Sequence, residues 1–234
     1  MLEVNNLDSC YGDLQVLHSI SIQVMHGELV VVFGPNGHGK STFLKTICGL
    51  HKAASGSVIF DGMDITNLSS LRIVAMGIIY IADDRHLFPK MTVLENLELG
   101  AYNAHARPKK AENLEYVFEL FPQLKARIRN LAETLSGGEA RMLAIGRGLM
   151  SNARLLAIDE PSLGLAPNLK QGVFETIHDI QESGITVLMV EQDISGAAEY
   201  ANRIYLVEDG RVVFAGDREE CLADPHVREV FLGI

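Results

Sequence analysis

Residues Gly34-Pro35-Asn36-Gly37-His38-Gly39-Lys40-Ser41-Thr42 decide how this chain is read. The apolar run Leu29-Val30-Val31-Val32-Phe33 precedes them, and a helical segment from Phe43 to Leu50 follows. The order is strand, glycine-rich loop, helix, with the spacing G-x-x-x-x-G-K-[ST]. Glycines let backbone N–H groups turn inward around phosphate oxygens, and the following helix aims the positive end of its dipole at them. Lys40 adds a point charge for the outer phosphates, and the Ser41 hydroxyl is placed to ligate Mg²⁺. A plain glycine-rich turn would explain the loop but not the strand and helix that flank it.

The chain has 234 residues, a length that suits one or two domains and can bury a full core. Charged residues make up 21% and hydrophobic ones 47%, as in an ordinary globular α/β protein. The net charge of −10 argues against a nucleic-acid partner, whose binding surfaces are usually basic. The longest near-continuous apolar run, Met76 to Ala82, is far too short to span a bilayer. Met1 opens directly onto strand-like sequence, so no signal peptide is expected. Cys10, Cys48 and Cys221 are scattered without metal spacing; they are expected to be small buried hydrophobes in a reducing compartment. The expectation is a cytosolic protein that can still dock on a membrane protein.

Ahead of the loop, Leu2 to Leu7 and Val16 to Val24 read as strands. Alternation of Val16, Ile20, Ile22 and Val24 with Ser19, Ser21 and Gln23 suggests a half-exposed antiparallel sheet. Ser57 to Phe60 adds another strand, and Gly77 to Ala82 a buried one. Leu87 to about Leu135 is mainly helical. Thr92-Val93-Leu94-Glu95 is a capping box opening a helix to about Ala104, and Pro108 starts a second helix that ends at Pro122. A helix follows Leu135-Ser136-Gly137-Gly138-Glu139 to about Ser151. Leu155 to Ile158 and Ile185 to Val190 are buried strands separated by an amphipathic helix, Pro167 to Ser183. A helix from about Ile194 to Ala201, a hairpin across Glu208-Asp209-Gly210-Arg211 and a helical tail from Glu219 to Phe231, broken near Pro225, complete the chain. The expected fold class is therefore α/β: a P-loop core, an N-terminal antiparallel sheet and a helical insertion.

Two further stretches carry chemistry. Asp159-Glu160 follows a buried strand, where a carboxylate would hold Mg²⁺ directly or through water; Glu160, one residue on, is positioned to polarise an attacking water. Ser136-Gly137-Gly138-Glu139 fits a capping box, which explains Ser136 and Glu139. It does not explain paired glycines in a first helical turn, each costing about 1 kcal/mol of helix propensity. Exposed glycine N–H groups at a helix start form another anion site. A second phosphate site in a chain with one phosphate loop suggests a nucleotide shared between two subunits.

In this order, the phosphate loop Gly34 to Thr42, Leu135 to Glu139 and Leu155 to Glu160 resemble the nucleotide-binding subunit of an ABC transporter. The resemblance covers essentially the whole chain, 1–234, with a helical subdomain at about 87–151. It implies two subunits arranged head to tail around two ATP molecules. Each ATP would meet the phosphate loop of one subunit and Ser136, Gly137 and Gly138 of the other. It also implies that Tyr11 stacks on the adenine. Glu160 to Pro167, Val190-Glu191-Gln192-Asp193, Ala223-Asp224-Pro225 and Leu232-Gly233 are similar to the ATPases of branched-chain (hydrophobic) amino acid importers, and the short length fits the smaller of that system's two ATPase subunits.

By that resemblance the reaction is Mg²⁺-dependent ATP hydrolysis. Lys40 would neutralise the β- and γ-phosphates, Ser41 and Asp159 would hold the metal, and Glu160 would orient or deprotonate water. Partners would be a second ATPase subunit, two transmembrane permease subunits and, indirectly, an extracytoplasmic substrate-binding protein, with this chain peripheral on the inner face of the plasma membrane. Closure and reopening of the dimer would reach the permeases through a groove near Asp83 and the helical insertion. Two positions depart from the family pattern. Asp83, preceded by Ala82, stands where a longer Gln or Glu that touches Mg²⁺ is usual, and Gln192 stands where a histidine contacts the γ-phosphate. His38 occupies a variable loop position and is expected to face solvent rather than take part in catalysis. Related importers of urea or amides, and a binding-only subunit with little turnover, are alternative readings. An ABC ATPase acting on ribosomes or DNA would call for tandem units, a coiled-coil insertion or a basic surface, which the sequence lacks.

Overall fold

The computed structural model describes residues 1–228. Strands β1 (Leu2–Tyr11) and β2 (Leu14–Val24) form a hairpin, and β3 (Leu29–Phe33) runs into the phosphate loop and helix α1 (Lys40–Ile47). Next come β4 (Ala53–Phe60), the short β5 (Met63–Asp64), α2 (Ser70–Ala75) and β6 (Ile78–Ile81). Between β6 and the next strand lie α3 (Val93–Gly100), α4 (Lys110–Leu120), α5 (Pro122–Ala126) and α6 (Gly137–Leu149). The remaining elements are β7 (Leu155–Asp159), α7 (Pro167–Glu182), β8 (Thr186–Glu191), α8 (Ile194–Ala197), β9 (Arg203–Glu208), β10 (Arg211–Gly216), α9 (Arg218–Ala223) and α10 (Pro225–Val227).

The strands make two sheets. One is antiparallel, in the order β2-β1-β4-β5; the other has the order β10-β9-β3-β8-β7-β6. In the second sheet β9, β3, β8, β7 and β6 are mutually parallel, and only β10 is antiparallel to its neighbour. Strand β3 divides the core by its two-residue period. Val30 and Val32 pack with α1 and the antiparallel sheet, while Leu29, Val31 and Phe33 face the helices on the other side. Every residue of β3, β7 and β8 is buried, which is why these strands read as continuous apolar runs. The carboxyl ends of the neighbouring central strands β3, β8 and β7 thus lie side by side, where open α/β sheets collect their ligands.

Local signals set most helix starts. Thr92 Oγ1 accepts the Glu95 N–H at 3.2 Å and Glu95 Oε2 accepts the Thr92 N–H at 2.7 Å, so the expected capping box forms. Other boundaries differ from the sequence reading. Pro122 follows the end of α4 at Leu120, as expected, but it also opens a further short helix, α5, because its fixed φ and missing N–H suit a first-turn position. Residues Arg107–Lys109 make a 3₁₀ turn before α4, and α8 has only four residues. Helix α2 and strand β5 were not legible as periodic segments because each is too short. The resembling residues Leu232-Gly233 and the last part of the tail lie outside the described residues.

Replacing Thr92 by Ala removes the cap of α3 and is expected to cost about 1 kcal/mol of stability, read from the urea unfolding midpoint. An unchanged midpoint would contradict the cap's contribution.

Candidate functional site

The phosphate loop is pinned from both sides. A Cβ at Gly34 would collide with the Val207 carbonyl of β9, so the strand end and β9 approach as closely as only glycine allows. Gly37 and Gly39 take φ of 85° and 94°, the left-handed region that glycine occupies without strain. Gly39 is the N-cap of α1 and offers no capping side chain, so the helix start keeps free donor capacity directed into the loop. Val16, Gly37, Gly39, Lys40, Ser41, Thr42 and Glu160 line a concave cradle of about 130 Å³. Pro35 and Asn36 form the outer rim of the loop, and Asn36 is exposed.

Lys40 is buried. Its ammonium donates to the Gly34 carbonyl at 2.7 Å and the Pro35 carbonyl at 3.0 Å, and forms an ion pair with Glu160 Oε1 at 3.3 Å. Ser41 Oγ donates to Asp159 Oδ1 at 2.9 Å. The other oxygen of that carboxylate, Oδ2, accepts the Tyr80 hydroxyl at 2.7 Å. Burial pushes the Asp159 carboxyl above its ordinary range; the hydrogen bonds from Tyr80 and Ser41 pull it back down, while the Asp83 and Glu160 carboxylates push it up. Burial, then the Asp159 charge, hold the Tyr80 phenol far above its ordinary value, so it remains a donor.

Glu160 is buried and sits at φ 43°, a left-handed conformation for a residue with a side chain. Its N–H donates to the Val190 carbonyl at 3.0 Å, which turns the chain sharply off β7 and aims the carboxylate back at Lys40. Glu191, at the end of β8, supports this turn. Its Oε1 accepts the Ser162 N–H at 2.9 Å and its Oε2 accepts the Gln192 N–H at 3.2 Å. Burial raises the Glu191 carboxyl, and the Ser162 and Gln192 bonds partly offset this. The Gln192 residue itself is exposed.

The remaining sequence candidates are more spread out. Tyr11 is half exposed, and one ring face stacks on His51 with centroids 4.2 Å apart. His51 is fixed in turn by a 3.1 Å contact between Nε2 and the Cys10 carbonyl. His38 does not simply face solvent as expected. Its Nδ1 accepts the Asp209 N–H at 2.8 Å and its side chain is 29% exposed, because the β9–β10 turn folds over the phosphate loop. Asp83 is exposed, on the loop after β6.

That loop is held by its backbone. Arg141, fully buried in α6, donates to the Ala82 carbonyl at 3.2 Å and the Asp83 carbonyl at 2.9 Å. Arg147, on the same helix, donates to the His86 and Arg85 carbonyls at 2.7 and 2.9 Å. Ser136 caps α6: its Oγ accepts the Glu139 N–H at 3.3 Å and Glu139 Oε2 accepts the Ser136 N–H at 2.9 Å. The cap explains Ser136 and Glu139 but leaves the glycines. A Cβ at Gly137 would have no neighbour closer than 3.8 Å, and one at Gly138 none closer than 3.5 Å. Neither takes a positive φ. Nothing inside the chain therefore demands glycine at these two positions. Neither residue lines the phosphate cradle.

Sequence reasoning missed Tyr80, Glu191, Arg141 and His51 as parts of the site. Each is identified by a contact between distant segments; the run around Tyr80 carried only a strand signal, and Glu191 entered the sequence reading only within the resemblance at Val190 to Asp193.

Among the described residues, no three His, Cys, Asp or Glu side chains gather to hold a metal by themselves. The donor set of one hydroxyl and one carboxylate, Ser41 and Asp159, fits a cation that takes its other ligands from phosphates and water, as Mg²⁺ does.

A phosphate loop at the end of β3, a carboxylate pair after β7 and a glycine helix start elsewhere define a P-loop nucleotide-binding protein. Residues 17–163 match the family model for ABC transporters, and the chain belongs to that family. It is 42% identical over 233 residues to the high-affinity branched-chain amino acid transport ATP-binding protein BraG of Pseudomonas aeruginosa, covering all of both chains. A solved nucleotide-free ATP-binding cassette from an ABC transporter superposes with TM-score 0.87 at 31% identity, covering 100% of this chain and 99% of that one. A dimeric, post-hydrolysis ATP-binding cassette bound to ADP and Pi superposes with TM-score 0.78 at 27% identity, covering 93% and 99%. The activity is that of the family, ATP hydrolysis coupled to transport, in a complex with permease subunits. Among the described residues no helix is long and apolar enough to cross a membrane.

Changing Gly137 and Gly138 together to Ala is expected to raise stability by about 0.5–1 kcal/mol, since both sites have room for a methyl group and alanine favours the helix. A lowered unfolding midpoint would show that the chain's own packing requires the glycines.

Proposed function

We propose that this chain is an ATP-hydrolysing subunit of an importer for branched-chain or related amino acids. The 42% identity to BraG along its whole length carries the substrate class. The chain would act as one ATP-binding domain, 1–234, with a helical subdomain at about 87–151. It would lie on the cytoplasmic face of the plasma membrane, paired with a second ATPase subunit beneath two permeases, which an extracytoplasmic binding protein supplies.

In this reading, ATP enters with its triphosphate in the cradle at Gly34, Pro35, Asn36, Gly37, His38, Gly39, Lys40, Ser41 and Thr42. Lys40, which holds the Gly34 and Pro35 carbonyls, would exchange them for phosphate oxygens. Mg²⁺, when bound, would supply positive charge to neutralise the phosphates. Ser41 and Asp159 would hold it, and Asp83, on the loop after β6, would add a carboxylate. Glu160, aimed by its left-handed turn, orients or deprotonates the attacking water. Gln192 gives the γ-phosphate a hydrogen-bond donor. Tyr11 offers the adenine the ring face that His51 leaves open.

Ser136, Gly137 and Gly138 would meet the ATP held by the partner subunit. The supporting observation is the glycine pair, which is costly to the helix and unexplained by any contact within the chain. The dimeric, ADP- and phosphate-bound relative is consistent with this arrangement. The permease contact would fall in an open apolar groove of about 830 Å³, flanked by Leu71, Phe88, Leu99 and Tyr102 and bordered by the edge strand β6 and by His86. Those four large apolar side chains are exposed, which marks an interaction surface.

Glu160→Gln is expected to leave ATP binding intact and to stop turnover by this subunit, measured as steady-state ATPase in the assembled complex. Turnover at the wild-type rate would remove Glu160 from the hydrolytic role and favour a subunit that only binds.

A further inference from the structure

We propose that Tyr80 is the positioning residue for the Asp159 carboxylate and thereby sets how tightly the site holds Mg²⁺ with ATP. The inference rests on the reading of Asp159 as the metal-holding carboxylate.

The geometry comes from one register. Strand β6 is the edge of the parallel sheet and pairs with β7 so that Tyr80 lies opposite Ala157 and Ile81 opposite Ile158. Along β6 the side chains alternate. Ile79 and Ile81 join the core beneath the helices of the insertion, while Ile78 and Tyr80 face the side that holds α1. Tyr80 therefore lies on the side of the sheet from which Ser41 approaches. Its hydroxyl reaches Asp159 Oδ2 at 2.7 Å, while Ser41 takes Oδ1 at 2.9 Å.

Two hydroxyls from two different elements thus grip the two oxygens of one buried carboxylate. Rotation about the bond that carries the carboxylate would break both hydrogen bonds, so its plane is fixed. Both donors are neutral, so the grip leaves the negative charge available to a cation. Glu160 is held differently, by the charged Lys40. Second-shell groups of this kind orient a ligand and tune its affinity. A phenylalanine would fill the same volume and leave Oδ2 without this donor. Packing alone would therefore leave metal binding unchanged after Tyr80→Phe, whereas the positioning role would not.

The ring of Tyr80 also lines the apolar groove described above, together with Phe88 and Leu99.

The test uses the full chain with a fluorescent ATP analogue, titrated with Mg²⁺, and with Mn²⁺ followed by electron paramagnetic resonance. For Tyr80→Phe the half-saturating Mg²⁺ is expected to rise about tenfold. Nucleotide binding without metal should match the wild type. The same Mg²⁺ titration is run on Asp159→Asn. If Asp159→Asn shifts the metal dependence and Tyr80→Phe overlays the wild type, the role of Tyr80 is overturned and the metal reading stands. If Asp159→Asn leaves the metal dependence unchanged, the metal reading fails and takes the Tyr80 inference with it. A loss of metal-free nucleotide binding in Tyr80→Phe would mean the residue acts through packing and would also overturn the inference.

Discussion

Asp159, Glu160 and Glu191 stand at the ends of two neighbouring parallel strands, all three buried, with the Lys40 ammonium bonded to one of them. Burying carboxylates is costly unless each finds donors. The fold supplies those donors one by one. Ser41 and Tyr80 serve Asp159, Lys40 serves Glu160, and the Ser162 and Gln192 N–H groups serve Glu191. Three carboxylates and one ammonium still leave more negative than positive charge at the strand ends, a balance that a divalent cation would offset. The left-handed turn at Glu160 is stabilised by this network, which joins the end of β7 to β8.

A second constraint links the site to the helical insertion. Helix α6 begins at the glycine pair and, farther along, presents Arg141 and Arg147 to the carbonyls of the loop from Ala82 to His86. Within that loop Arg85 and His86 both have positive φ, 67° and 42°, so the segment depends on these outside bonds. Helix α6 thereby ties the glycine pair at its start to the backbone of Asp83 through Arg141. The loop also borders the apolar groove through His86. A contact made in the groove and a nucleotide held at the glycines would then act on one connected piece of structure.

What the sequence disclosed depended on range. The phosphate loop, the Asp159-Glu160 pair and the caps at Thr92 and Ser136 are short patterns whose physics lies within a few residues, and all are present in the structure. Continuous apolar runs marked β3, β7 and β8 because both faces of those strands are covered. Pro122 marked the end of α4 correctly, but the flanking residues gave no sign that the same proline also begins α5. His38 misled because the β9–β10 turn that covers it is 171 residues away in sequence. Tyr80 and Arg141 were missed for the same reason. A tyrosine in a strand and an arginine in a helix carry no local sign that their partners are Asp159 and the Asp83 carbonyl.

In the proposed divided site, the cradle around Lys40 would be completed by Ser136, Gly137 and Gly138 of another subunit. That division is tested most directly by Ser136→Arg, a bulky charge at the start of α6, with two readings on the same variant. Nucleotide binding by the isolated chain is expected to match the wild type, while ATP turnover in the assembled transporter falls. If instead Ser136→Arg weakens binding in the isolated chain as much as Lys40→Ala does, or leaves turnover of the assembly unchanged, the divided site is contradicted.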